Sequence, residues 1–201
     1  MMSALVLAKG SRFPSLGLLA LATTLAFYMF SQLDGYRPPV LLTGAILLAG
    51  GAVQLLTGVS SRQQGRVEAA VTLLPLGIFW LSLISYQVFP ALGLGRQPNS
   101  LTMFSFLSLW GLFMAVRFLG SFRQSLTVQM LYGTMMFSFL ALAMDYLRTD
   151  QVFLIIGCTT GILASSVAGY MALAQFCRQL AGREILPLGD CPPEDDDRQG
   201  L

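Results

Sequence analysis

The segment AAVTLLPLGIFWLSLISYQVF, residues 69–89, contains no charged side chain. A helix rises about 1.5 Å per residue, so a run of this length reaches across the roughly 30 Å of hydrocarbon in a bilayer. It shows no strict apolar–polar alternation, and it is twice as long as a barrel strand needs to be. Working outward, similar apolar windows lie near 15–33, 40–59, 101–119, 126–147 and 152–176. Short punctuating stretches separate them: Asp34 to Pro39, Ser60 to Glu68, Pro90 to Ser100, Gly120 to Ser125 and Arg148 to Gln151. Lipid offers no hydrogen-bond partners, so each span must satisfy its own backbone, which selects helices for runs like these. The fold expected is an all-α integral membrane protein with six transmembrane helices in one bundle.

Composition agrees. Of the 201 residues 55% are hydrophobic and 11% charged, against about 25% charged in an average soluble domain. The expected domain plan is a cytoplasmic N-terminus over 1–14, a transmembrane domain over 15–176 and a cytoplasmic tail over 177–201. The tail is expected to be disordered from about 190, where Pro192 and Pro193 lead into Glu194, Asp195, Asp196 and Asp197. The apolar run Ala4 to Ala8 is too short for a signal-peptide core, so the first span is expected to stay uncleaved. A net charge of +2, with basic residues scattered between apolar stretches, argues against a nucleic-acid partner and leaves the lipid bilayer as the surrounding medium.

Those basic residues give orientation. With the N-terminus inside, one side holds Lys9, Arg12, Arg62, Arg66, Arg117, Arg123, Arg178, Arg183 and Arg198, and the other holds Arg37, Arg96 and Arg148. The excess of Lys and Arg marks the cytoplasmic side. Both termini are therefore expected in the cytoplasm, with the chain in the cell (inner) membrane as a multi-pass protein.

The chain has no histidine. That removes the commonest proton relay, general base and metal ligand together. No metal site, no cofactor and no enzyme activity are expected. Cys158, Cys177 and Cys191 are expected as free thiols, being odd in number and without paired spacing. Among ionisable residues near membrane depth, Arg117 reads as a snorkelling side chain, and Asp145 with Arg148 as an interfacial pair. Thr72, Thr134, Gln54 and Gln129 are intramembrane polar candidates, and Asn99 lies in the loop before the fourth span. Hydroxyls on a helix readily bond back to their own backbone. The amides of Gln54 and Gln129 cannot face lipid without leaving donors unsatisfied, so both are expected to face protein or water. Pro75, mid-span, is expected to kink the third helix. Gly157 and Gly161 form a GxxxG pattern, and Gly50 with Gly51 form a second bare stripe, both suited to close helix packing.

The order of motifs resembles the acetate uptake transporter family, which includes bacterial acetate/succinate transporters and fungal ammonia/acetate exporters. The likeness rests on Ser15-Leu16-Gly17-Leu18, on Gly50-Gly51-Ala52-Val53-Gln54 with Thr57-Gly58, and on Gly77-Ile78-Phe79-Trp80. It continues through Leu92-Gly93-Leu94 before Pro98-Asn99, Leu109-Trp110-Gly111-Leu112-Phe113, Gln129, and Gly182-Arg183-Glu184-Ile185-Leu186-Pro187-Leu188-Gly189. The family signature Asn-Pro-Ala-Pro-Leu-Gly-Leu is here Arg12-Phe13-Pro14-Ser15-Leu16-Gly17-Leu18. The resemblance implies a homo-oligomer, a hexamer, with a pore through each protomer and an apolar constriction of phenylalanine, tyrosine and leucine. Those positions fall on Leu21, Leu76 and Met135, none identical to the family's residue. The implied function is a channel or transporter for acetate or related small (di)carboxylic acids. A channel for ammonia or another small neutral solute, and a non-transporting sensor or assembly protein on the same fold, are the alternatives.

Overall fold

A computed structural model describes residues 13–33, 36–148, 151–182 and 186–187. The expected disordered tail from 190 and all but the last two residues of the N-terminal segment 1–14 lie outside the described residues. Among the described residues six helices follow one another: α1 (Ser15–Gln32), α2 (Val40–Gln63), α3 (Val67–Ala91), α4 (Ser100–Leu119), α5 (Leu126–Arg148) and α6 (Gln151–Ala181). Each is long and apolar enough to cross a membrane, and together they form a six-helix membrane bundle.

The expected windows coincide with these helices except at a few ends. Helix α6 continues past 176 to Ala181, and α2 past 59 to Gln63. Polarity marks where lipid ends, whereas backbone hydrogen bonding continues into water, so these helices outrun their apolar windows. Pro75 lies inside the regular helix Val67–Leu83, and the local irregularity falls instead at Ile84–Val88, which is π-helical. The space beside Pro75 is a cavity of about 540 Å³ lined by Arg62, Val67, Ala70, Val71, Leu74 and Pro75. Val67 and Val71 are exposed, so this hollow opens on the outside of the bundle.

The closest backbone neighbours are α2–α3, α4–α5, α5–α6 and α1–α6, with α1–α2 also in contact. The helices therefore form a ring in the order α3, α2, α1, α6, α5, α4. Glycines set the spacing of five of these six joins; at α4–α5 a Cβ on Gly111 would stand 2.6 Å from Leu140 Cδ2. A Cβ on Gly157 would stand 2.7 Å from Leu142 Cγ of α5, and one on Gly161 would meet Met29 of α1. A Cβ on Gly51 would stand 3.1 Å from the Gly77 carbonyl of α3, and one on Gly50 would overlap the Thr24 hydroxyl of α1. The remaining join, α3 to α4, is made by rings: Phe79 stacks on Phe106 at 5.6 Å and meets Trp110 edge-on at 5.3 Å.

Neighbours in this ring are antiparallel, so α1, α3 and α5 are mutually parallel. Helices α3 and α5 also run in register across the bundle: Thr72 meets Tyr132 and Phe79 meets Phe139, the same offset in both pairs. These three helices form the interior, burying 44%, 50% and 50% of their apolar windows against 17% for α2 and 22% for α4.

Gly50→Leu is expected to destabilise the purified protein by about 1–3 kcal/mol through overpacking against α1, read as a lowered melting temperature in detergent. Gly65→Ala, in the α2–α3 turn where φ is +75° and no atom stands within 4 Å of a Cβ, is expected to cost less, through backbone strain alone.

Candidate functional site

Leu21 of α1, Leu76 of α3 and Met135 of α5 are each fully buried and belong to one core cluster. The pairings Tyr28–Trp80 and Phe79–Phe139 fix the relative heights of these parallel helices, and place the three side chains within about one helical turn of the same level. Gln54 of α2 joins them. The contacts of Gly50 with Thr24 and of Gly51 with Gly77 set α2 against both neighbours, and by that register Gln54 lies opposite Leu21 and Leu76. Its side chain is fully buried, and neither amide atom has a protein hydrogen-bond partner. An amide buried without a partner costs a few kcal/mol, so this position is suited to water or a polar solute.

About one turn farther from the termini stands an aromatic collar. Tyr28 meets Trp80 at 5.7 Å, Trp80 meets Phe79 at 4.7 Å, and Phe79 meets Phe139 at 4.9 Å. The aligned family positions lack aromatic rings here, yet neighbouring positions on the same helix faces supply them. Gln87 Nε2 reaches the Tyr28 hydroxyl at 3.5 Å, and Ser138 donates to the Gly157 carbonyl at 2.8 Å.

One turn toward the termini, the interior is polar. Thr72 precedes Leu76 by four residues and Tyr132 precedes Met135 by three, so each shares a helix face with its successor. Their hydroxyls are 2.7 Å apart. Arg117 Nη2 donates to Tyr132 at 2.9 Å, to Thr72 at 3.0 Å and to Glu68 Oε2 at 3.0 Å. Gln124 Nε2 also donates to Glu68 Oε2, at 2.9 Å. The Arg117 guanidinium lies 5.0 Å from the Tyr132 ring centre. Arg117 was expected to snorkel toward water; its side chain is only 16% exposed because three oxygen acceptors await it inside.

The other polar candidates are used locally. Thr134 donates back to the Met130 carbonyl at 2.6 Å. Asn99 caps α4, its Oδ1 accepting from the Thr102 amide at 2.7 Å. Gln129 Nε2 donates to the Gln124 carbonyl at 3.1 Å. Cys158 and Cys177 are free thiols. Glu68, Tyr132 and Gln124 were not singled out from the residues. The spacing Glu68, Thr72, Leu76, at successive steps of four, carried the signal for the first.

Tyr132→Phe is expected to destabilise by about 1–3 kcal/mol, since it leaves both Thr72 and Arg117 short of a partner. Combined with Thr72→Val it is expected to cost less than the sum of the two single changes, because both remove the same bond; thermal melts of the three variants measure this.

Comparison with known proteins follows the same lines. The GPR1/FUN34/yaaH family matches residues 11–182. The chain is 26% identical over 141 residues to the succinate-acetate/proton symporter SatP of Escherichia coli (strain K12), covering 70% of this chain and 75% of the relative. It is also 26% identical over 145 residues to an uncharacterised protein of Methanothermobacter thermautotrophicus, covering 69% and 71%. A solved structure of the bacterial acetate channel SatP superposes with a TM-score of 0.81 at 23% identity, over 87% of this chain and 97% of that one.

Proposed function

The chain belongs to the GPR1/FUN34/yaaH family, and from that premise we propose that it carries acetate or related small (di)carboxylic acids across the membrane through a pore in each protomer. One observation carries the reading: a fully buried amide without a protein partner, Gln54, level with the apolar side chains of Leu21, Leu76 and Met135. In this reading the three apolar groups form the narrow point and Gln54 is the polar group a solute meets there. A bare carboxylate would lose most of its hydration in such a ring, whereas a protonated acid has one donor and one acceptor to offer, matching an amide. The neutral form therefore crosses with the smaller penalty, and flux follows both the solute and the pH gradient.

The chain is a multi-pass membrane protein, and we place it in the inner membrane with both termini in the cytoplasm, on the strength of the nine-to-three bias in basic residues. That puts the Arg117 cluster at the cytoplasmic end of the pore and the aromatic collar toward the outside. The family resemblance implies a homo-oligomer of the hexameric kind; the weakly buried α2 and α4, with Leu41, Leu56, Leu109 and Leu112 exposed, are the faces left for a second copy or for lipid.

Radiolabelled acetate uptake into vesicles carrying the protein is expected to exceed that of empty vesicles, to be competed by succinate, and to be faster at about pH 5 than at about pH 7. Flux equal to empty vesicles, with normal permeation of ammonia, would instead assign the pore to neutral solutes. No flux of either would leave a non-transporting role. Leu76→Tyr is expected to narrow the pore and favour acetate over larger acids; an unchanged ratio of acetate to succinate flux would remove Leu76 from the constriction.

A further inference from the structure

The contacts of Arg117 are unevenly distributed. Glu68, Thr72 and Tyr132 all converge on Nη2, a nitrogen with only two hydrogens to give. Nε is buried and has no protein partner. Glu68 engages the guanidinium with a single oxygen, Oε2, and shares that oxygen with Gln124. A guanidinium is built to hold a carboxylate by two parallel bonds, and here its resident carboxylate makes one, through Oε2, on an over-subscribed nitrogen. The Glu68 side chain is 43% exposed, so it reaches the aqueous end of the bundle and can swing away. Behind it stand two hydroxyls, each one turn from a residue of the proposed constriction.

Resting on the transport reading above, we propose that Arg117 is the carboxylate-recognition residue of this protein, that Glu68 is a resident competitor occupying the site when no solute is bound, and that a permeating carboxylate displaces it. The incoming group takes Nη2 and Nε together, with the Thr72 and Tyr132 hydroxyls beside it. Glu68 keeps Gln124 as a partner and turns toward water. The site holds the anionic form, so it lies where the solute gains or has regained its charge, one turn from the apolar ring that favours the neutral form. It would take a monocarboxylate, and the first carboxylate of a dicarboxylate whose second end points to solvent.

Opposite signs at the two residues distinguish this from a purely structural ion pair. Thermal unfolding of the purified full chain is measured with acetate or succinate against chloride at equal ionic strength. The wild-type protein is expected to be stabilised by carboxylate. Arg117→Gln is expected to need at least about tenfold more acid for the same shift, since it removes the charge and the paired Nη2 and Nε donors. Glu68→Gln is expected to need several-fold less, because the competitor has gone. Arg117→Lys, which keeps the charge but not the two-bond geometry, is expected to fall between Arg117→Gln and wild type. If Arg117→Gln does not fold, the direction of the Glu68→Gln shift decides the question. Weakened binding in both variants, or no carboxylate-specific stabilisation of the wild type, overturns the proposal. The vesicle assay separates its failure from that of the transport reading. The shifts described here without flux would leave the site standing and the pore reading wrong; normal acetate flux with unaltered half-saturation in both variants would do the reverse.

Discussion

The bilayer core supplies no hydrogen bonds, and the placement of nearly every polar group in this protein follows from that. Hydroxyls on the helices satisfy themselves on their own backbone, as Thr23, Thr57, Ser105, Thr159 and Ser166 do with carbonyls one turn back. Larger polar groups cannot do this. Gln54, Arg117 and Tyr132 are therefore drawn to the interior of the ring, where other helices supply partners or where water and solute can reach. The same constraint that leaves mainly apolar side chains and self-satisfied hydroxyls on the outside collects the larger polar groups inside.

The bundle that receives them is held apart and together by residue size. Glycines bring α6 onto α1 and α5, and α2 onto α1 and α3, where any side chain would collide. Between α3 and α4 the spacing is set instead by Phe79, Phe106 and Trp110. Five tight joins and one ring-filled join leave three parallel helices facing one another across the interior. Their side chains fall into levels: aromatic, then aliphatic with one amide, then hydroxyl and charged. Under the transport reading proposed above, a solute entering from the aromatic end would meet mainly apolar levels before the charged one, and an acid would meet those levels in different protonation states.

Burial in the single chain is uneven, and this bears on assembly. Helices α2 and α4 keep most of their apolar surface outside, and the hollow beside Pro75 opens outward as well. Lipid alone can cover such surfaces, since tails are as apolar as leucine, so their fate in an oligomer depends on shape and small-residue contacts rather than on hydrophobicity.

The six spans, the absence of histidine chemistry and the family were legible in the residues, because a run of apolar residues long enough to span lipid has few alternatives and motif order survives drift. The residues also offered Leu21, Leu76, Met135 and Gln54 as candidates, the first three only through family alignment, and the fold buries all four. Thr134 and Asn99 looked equally promising and turn out to serve their own helix and its cap. What sequence could not supply was the company each residue keeps. Glu68 and Arg117 stand 49 residues apart, near the start of α3 and the end of α4, and their meeting depends on α3 and α4 closing a ring through aromatic side chains. Tyr132 reaches Thr72 because two helices far apart in the chain run parallel and in register. Local pattern determines that a segment crosses the membrane, since lipid tests each span on its own; which polar groups meet at the centre is decided by packing between spans, which no single span encodes.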